Sequence, residues 1–413
     1  MSQTSTPRIE EDQAPSVRQP SRWQRALREI SSSSVTVSVL AVVLALAVGA
    51  MLIILTDPAV QQSATYFIAD PVATLRAAWD AVTGAYMALF QGAIYNTRAT
   101  DPLVGLRPLT ESLTFATPLI VAGLGVAVAF RAGMFNIGGR GQILVAAAAA
   151  GWVGFAVPLP PGIHGLVAVV AGIAAGTAWG GIAGLLKAKT GAHEVITTIM
   201  LNFIALYLVT YMLRTPGLLQ APGSNNPKTP PMAETAILPG LLGPQYNLHL
   251  GFVMSLVAVA AVWWLIERSS LGFQFRAVGI NPHAARVAGV NVNRIYLYAM
   301  LLSGGLVGMA GVNQVLGTVT TGFSTGIDAN IGFDAITVAL LGRSRPLGVL
   351  AAGLLFGGFK AGGFAMQASE GVPIDIVLVL QSLIVLLIAA PPLVRAIFRL
   401  PSPSPSHSNG NAA

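Results

Sequence analysis

Hydrophobic positions in this chain run in long blocks separated by short polar breaks. Blocks lie near 35–55, 112–130, 141–157, 162–186, 194–213, 249–266, 295–315, 346–366 and 374–392. A helix needs about 20 mostly apolar residues to cross a hydrocarbon core about 30 Å thick, so each block predicts a membrane span. A further block near 331–342 is too short to cross alone and reads as a broken or tilted helix. The pattern predicts an all-α polytopic membrane protein with about ten transmembrane helices over 35–394. Residues 71–94, "PVATLRAAWDAVTGAYMALFQGAI", carry apolar residues at helical spacing and predict a helix on the outer surface. Residues 214–247 are rich in Pro and Gly and predict an extended external loop. The two ends, 1–34 and 395–413, are polar and Pro/Ser-rich, the pattern of disordered tails.

Composition agrees with the blocks. Hydrophobic residues make up 54% of the 413 and charged residues only 9%, where a soluble domain has about 25% charged. The 45 glycines suit helices whose backbones touch within a bilayer. Cysteine is absent, which excludes disulfides and thiol chemistry. A net charge of +7 raises the question of nucleic acid, but the positions of the charges answer it. With both termini cytoplasmic, seventeen of the 23 basic residues fall on the cytoplasmic side, including Arg8, Arg18, Arg22, Arg25 and Arg28 of the first tail. That asymmetry is the positive-inside rule. The first apolar block is not a cleavable signal: it starts more than 30 residues in and is followed by no clear small-x-small site.

No catalytic or metal constellation is legible. There is no HExxH, no GxSxG, no G-x-x-x-x-G-K-[ST] phosphate loop, and the five histidines are scattered. The predicted spans are nearly free of charge. Glu194, Asp334 and Asp375 stand near the starts of blocks, and Lys360 lies inside one. A proton-coupled carrier usually keeps ionisable relays within its spans, so energy for transport points elsewhere. Lys360 reads as snorkelling to an interface or meeting a backbone carbonyl. Buried amides are costly unless paired, so Asn136, Gln142 and Asn202 either line a wet path or bond neighbouring helices. Asn313 and Gln314 stand near an external helix end, facing either a path or water.

One passage is out of character. "GFQFRAVGINPHAARVAGVNVNRIY", 272–296, carries three arginines and no carboxylate, and no Asp or Glu occurs between Glu267 and Asp328. Within it "NPHAARVAGV" predicts a short helix capped by Asn281, with Pro282 at the first position and Gly289 ending it. Ala284, Ala285 and Ala288 give it a low-profile face able to enter a groove on another protein. The alternative is a solvated loop made basic by topology alone.

That passage, with the span after it, resembles the coupling segment of bacterial ABC-importer permeases, most of all the branch carrying nucleosides, simple sugars and branched-chain amino acids. "FNIGGRGQ" (135–142), "GAHEVITTIMLNFIALYL" (191–208) and "GFDAITVALLGRSRPLGVLAAGLLFG" (332–357) resemble further blocks of that family, extending the likeness from about 112 to 392. The resemblance implies that Arg276, Ala277, Gly279, Asn281, Ala284, Ala285 and Gly289 dock on a separate ATPase subunit. It implies a substrate pathway near Phe135, Asn136, Gln142, Asn202 and Phe333. It further implies a second, related permease subunit, an extracytoplasmic solute-binding protein and a bacterial inner membrane. ATP would be used by the partner, with no cofactor in this chain. Nucleosides are the expected solute from the "EVITTIMLN" element, with ribose- or galactose-type sugars as the alternative. Two positions depart from the family pattern: Arg140 stands where an acidic residue is common, and His193 where Asn is usual.

Overall fold

A computed structural model of the protein describes residues 34–399. The tails expected at 1–34 and 395–413 lie outside them, except for Ser34 and 395–399, and so do the five tail arginines. Helices are the regular elements among the described residues, with one isolated bridge pairing Gly240 and His249.

Three Asp-Pro pairs start the early helices. α1 (Ser34–Thr56) is followed by α2 (Pro58–Ala64), α3 (Pro71–Ala93) and α4 (Pro102–Gly105). The carboxylates of Asp57, Asp70 and Asp101 each accept a backbone N–H at the helix start, and the following proline takes the first position, where a missing N–H is harmless. α3 is the surface helix expected at 71–94, yet it does not lie apart from the bundle. Its Leu89 carbonyl abuts Gly362, a Cβ on Gly92 would strike Ala365, and the Tyr86 hydroxyl donates to the Leu46 carbonyl of α1.

The remaining helices are α5 (Arg107–Arg131), α6 (Gly139–Ala156), α7 (Ile163–Thr190), α8 (Glu194–Arg214), α9 (Gly251–Arg268), α10 (Ser270–Ile280), α11 (Pro282–Val287) and α12 (Val292–Asn313). A π-helical turn, Gln314–Thr318, extends α12, and a 3-10 turn, Thr325–Asp328, precedes α13 (Ile331–Leu341). α14 (Pro346–Glu370), α15 (Ile374–Ala389) and α16 (Pro391–Ile397) complete the order.

Seven described helical segments are long and apolar enough to cross a membrane: α1 from Val39, α4 with α5, α7, α8, α9, α12 with its π turn, and α14. α15 and α16 would form an eighth, bent by 94°. The chain is a multi-pass membrane protein, but not every apolar block becomes a long span. α6 spends its first turn on Gly-Arg-Gly-Gln. α13 has 11 residues, roughly 16 Å of helix against a core of about 30 Å.

Two ends are distinguishable. At one, α5 finishes beside the α13–α14 turn, where Arg131 Nε donates to the Ser344 carbonyl at 2.9 Å. The α7–α8 turn, closed by Lys187 and Glu194 at 2.9 Å, joins it, as do α10, α11 and the start of α12. We call this the basic end. The 215–250 loop covers the opposite end, as expected without regular helix. Its Thr229, Met232 and Leu238 N–H groups donate to Phe323, Thr320 and Leu316 carbonyls at 2.8–3.0 Å. His164 bridges Thr235 and the Val153 carbonyl beneath it.

The tightest helix pair is α7 with α12. A Cβ on Gly176 would lie 2.6 Å from the Gly304 carbonyl oxygen, and one on Gly180 would lie 2.7 Å from that of Met300. Only glycine lets backbones approach so closely in an apolar medium, where packing supplies the attraction that water cannot.

Candidate functional site

The loop between α5 and α6 is non-helical backbone inside the bundle, so its polar groups need protein partners. Side-chain amides supply them. Asn136 is fully buried; its Nδ2 donates to Ser303 Oγ at 2.8 Å and Gln142 Oε1 at 3.1 Å, while its Oδ1 accepts from the Gly138 N–H at 2.9 Å. Gln142 Nε2 returns a bond to Asn136 Oδ1 at 3.2 Å. From α8, Asn202 Nδ2 donates to the Ile137 carbonyl and its Oδ1 accepts from the Gly141 N–H, both at 2.8 Å. Thr198 Oγ1 accepts from the Ile137 N–H at 3.3 Å. Asn136, Gln142 and Asn202, separated in sequence, are thus brought together, and in this conformation their amides are spent on one another and on backbone.

The two aromatic candidates stand apart from this network. Phe135 is 38% exposed and packs on Phe130 with ring centroids 4.7 Å apart, and Phe333 on α13 is half exposed. Asn313 is wholly buried beside Gly251, so it does not face water. Arg140 approaches Asp328 at 3.4 Å; burial raises the Asp328 carboxyl above its ordinary range against the pull of that guanidinium. His193 is exposed at the start of α8. Lys360 meets a backbone carbonyl, that of Ala329 at 3.3 Å, and also an unforeseen partner, Asp334 at 2.7 Å. Ser303, Thr198 and these two charge pairs escaped sequence reasoning. A single hydroxyl among glycines gives no signal, and pairing across 26 residues or more has no local pattern.

At the basic end, α11 has the expected form. Asn281 Oδ1 accepts from the His283 and Ala284 N–H groups at 3.0 and 3.1 Å, Pro282 occupies the first turn, and Gly289 takes a φ of +84°. One part of the expectation is corrected. Ala285 does not belong to an outward face: it is buried in the core with Val278 and Val292, each seven residues away. They come from α10, α11 and the start of α12, so each helix of this corner turns one side chain into the core. Outward stand Ala284, Ala288 and two large apolar side chains, Ile280 at 87% and Val287 at 91% exposure. Gly279 explains itself by contact. A Cβ there would lie 2.3 Å from the Arg131 carbonyl oxygen, and Gly133 (φ +71°) abuts it from the other side. Arg276 is half-buried in α10, with Ala277 beside it. The α10–α11 corner therefore rests directly on the backbone leading into the Asn136 loop.

Residues 109–389 match the family described as the permease component of branched-chain amino acid transport systems. The chain belongs to this family. Its members are transport components, and the chain is one such permease. Among relatives, the guanosine ABC transporter permease protein NupP of Bacillus subtilis is 40% identical over 284 residues, covering 68% of this chain and 80% of its own. The glucose ABC transporter permease protein TsgB13 of Haloferax volcanii is 35% identical, covering 71% and 78%. The nucleoside ABC transporter permease protein NupB of Lactococcus lactis is 32% identical, covering 71% and 82%. No solved structure matches the chain.

Proposed function

We propose that this permease is the membrane subunit of an ATP-driven nucleoside importer. The observation that carries it is the α10–α11 corner at the basic end, where Ile280 ends α10, Val287 ends the capped α11, and both side chains stand outward. Large apolar side chains beside arginines, beyond the membrane helices, mark a protein-binding surface. A separate ATPase subunit docks there through Arg276, Ala277, Gly279, Asn281, Ala284 and Gly289 with the two exposed anchors, while Ala285 keys the helix to its own core. Movement of α11 passes through the Gly279–Gly133 contact into the Asn136 loop, and from there by the amide network into α8 and α12. In that reading Asn136, Gln142 and Asn202 hold a pathway element whose bonds exchange as the permease alternates, with Phe135 and Phe333 at its margin.

The remaining assembly follows from the same reading. The chain pairs with a second, related permease and receives solute from an extracytoplasmic binding protein over the 215–250 loop, in a bacterial inner membrane. Counting α6, the bent α15–α16 pair and the stretch that α13 completes beside the seven long segments makes ten passes, which puts both termini on one side, and the five tail arginines make that side cytoplasmic. Nucleosides are preferred because the relative at 40% identity is named for guanosine and another, at 32%, for nucleosides. Sugars are the second reading, on the strength of the glucose relative.

The test is uptake by proteoliposomes holding the assembled complex, with binding protein outside and ATP inside. Labelled guanosine accumulates only with ATP, and excess ribose does not compete. Accumulation of ribose instead makes the solute a sugar; uptake of either without ATP contradicts the ABC mechanism.

A further inference from the structure

A cavity of about 140 Å³ opens toward the opposite end, between α5, α14 and α15 and beside the π turn. Its walls include Phe115, Phe359, Phe364, Gln314, Lys360 and Gln381. Four separate observations meet there. Lys360 lies roughly 20 Å along α14 from Pro346 and is ion-paired to Asp334; a charge within an apolar span marks function by default. Gln314 and Thr318, both on the cavity wall, are the first and last residues of the π turn, a distortion that gathers at functional sites. Ala329 (φ +43°) and Asn330 (φ +61°) hold left-handed backbone without glycine, and Ala329 both lines the cavity and accepts from Lys360. Finally, Gln381 is 4% exposed and its Oε1 has no hydrogen-bond partner.

Those groups describe a ligand. The three phenylalanines offer flat faces, with Phe115 and Phe364 at 5.6 Å between centroids and tilted by 30°. Polar groups stand at only a few points. Gln381 Oε1 needs a donor. Of the three donors on Lys360 Nζ, Asp334 and the Ala329 carbonyl use two, leaving one to give. Asp334 offsets the charge of Lys360, so the site asks for a neutral solute. A free sugar carries hydroxyls all around its ring edge, more than the few polar side chains of this cavity can pair. A heteroaromatic base has two apolar faces and a polar edge.

We propose that this cavity is the solute-binding site of the permease and takes a nucleoside. The base stacks among Phe115, Phe359 and Phe364, and its polar edge or ribose meets Gln381, Gln314 and Lys360. The assignment rests on the nucleoside reading above and adds the residues that read the solute.

The test uses the assembled importer with Gln381→Leu and, separately, Phe364→Leu. Leucine at 381 removes a buried oxygen that lacks a partner, so the fold is not weakened; a merely structural glutamine predicts an unchanged KM. As a binding group, its loss raises the guanosine KM by about tenfold. A second readout needs no turnover. The chain has no native cysteine, so Thr318→Cys provides one exposed thiol on the cavity wall. Guanosine slows its alkylation by N-ethylmaleimide, and ribose does not. If the unaltered complex imports guanosine while both leucine variants keep their KM and the thiol is unprotected, the site is wrong and the nucleoside reading stands. If the unaltered complex imports ribose and not guanosine, the nucleoside reading fails and the ligand assigned here fails with it.

Discussion

At the residue scale, the Asn136 loop shows how a bilayer protein keeps irregular backbone inside a helical bundle. Asn202 satisfies the Gly141 N–H and the Ile137 carbonyl at once, and replacing it by leucine strands both. We predict that Asn202→Leu lowers stability by about 1–3 kcal/mol, read as a fall in detergent melting temperature. Thr198→Val removes only one, longer bond to the loop, together with the hydroxyl's own bond back to the Glu194 carbonyl, which that carbonyl's helical partner can replace, and costs about 1 kcal/mol or less. An unchanged melting temperature for Asn202→Leu would mean that the loop is not held this way. The amides themselves are legible in sequence, since polar residues stand out within apolar blocks. Their partners are not. Ser303 comes from α12, 167 residues beyond Asn136, and no local pattern joins them.

Elements in this chain are readable where local chemistry decides them and unreadable where length alone must. The Asp-Pro starts of α2, α3 and α4 and the Asn281 cap of α11 are local, and they stand in the structure as the residue pattern implies. Span count is not local. The block at 331–342 is short in sequence and α13 is short in the structure, but the block at 141–157 looks like a full span by hydropathy while α6 starts inside the bundle. Helix pairing hides in the glycines. Gly176→Ala places a methyl 2.6 Å from the Gly304 carbonyl oxygen, and we expect overpacking to cost about 1–3 kcal/mol. Gly165→Ala on the same helix meets nothing closer than 3.6 Å, and relief of glycine's helical penalty makes it neutral or stabilising by about 0.5–1 kcal/mol. Melting of the two purified variants checks the pair; equal loss in both would remove the case for close α7–α12 packing.

For the whole molecule, the basic end links three things: the exposed apolar side chains of the α10–α11 corner, the Gly279–Gly133 backbone contact, and the loop held by Asn136. Since Ile280 and Val287 are 87% and 91% exposed, aspartate at both leaves the fold intact. It should nonetheless reduce ATP-driven uptake by about tenfold or more, as expected for loss of central apolar anchors at an interface. Retained uptake would assign docking to another surface. The most direct measurement is cross-linking from single cysteines, again clean because the chain has none. A photoreactive maleimide is attached at Val287→Cys, or at Leu242→Cys on the loop covering the opposite end, in the assembled complex. With the ATPase docked on α11, position 287 cross-links to it and position 242 does not. A cross-link from 242, or none from 287, would contradict that docking.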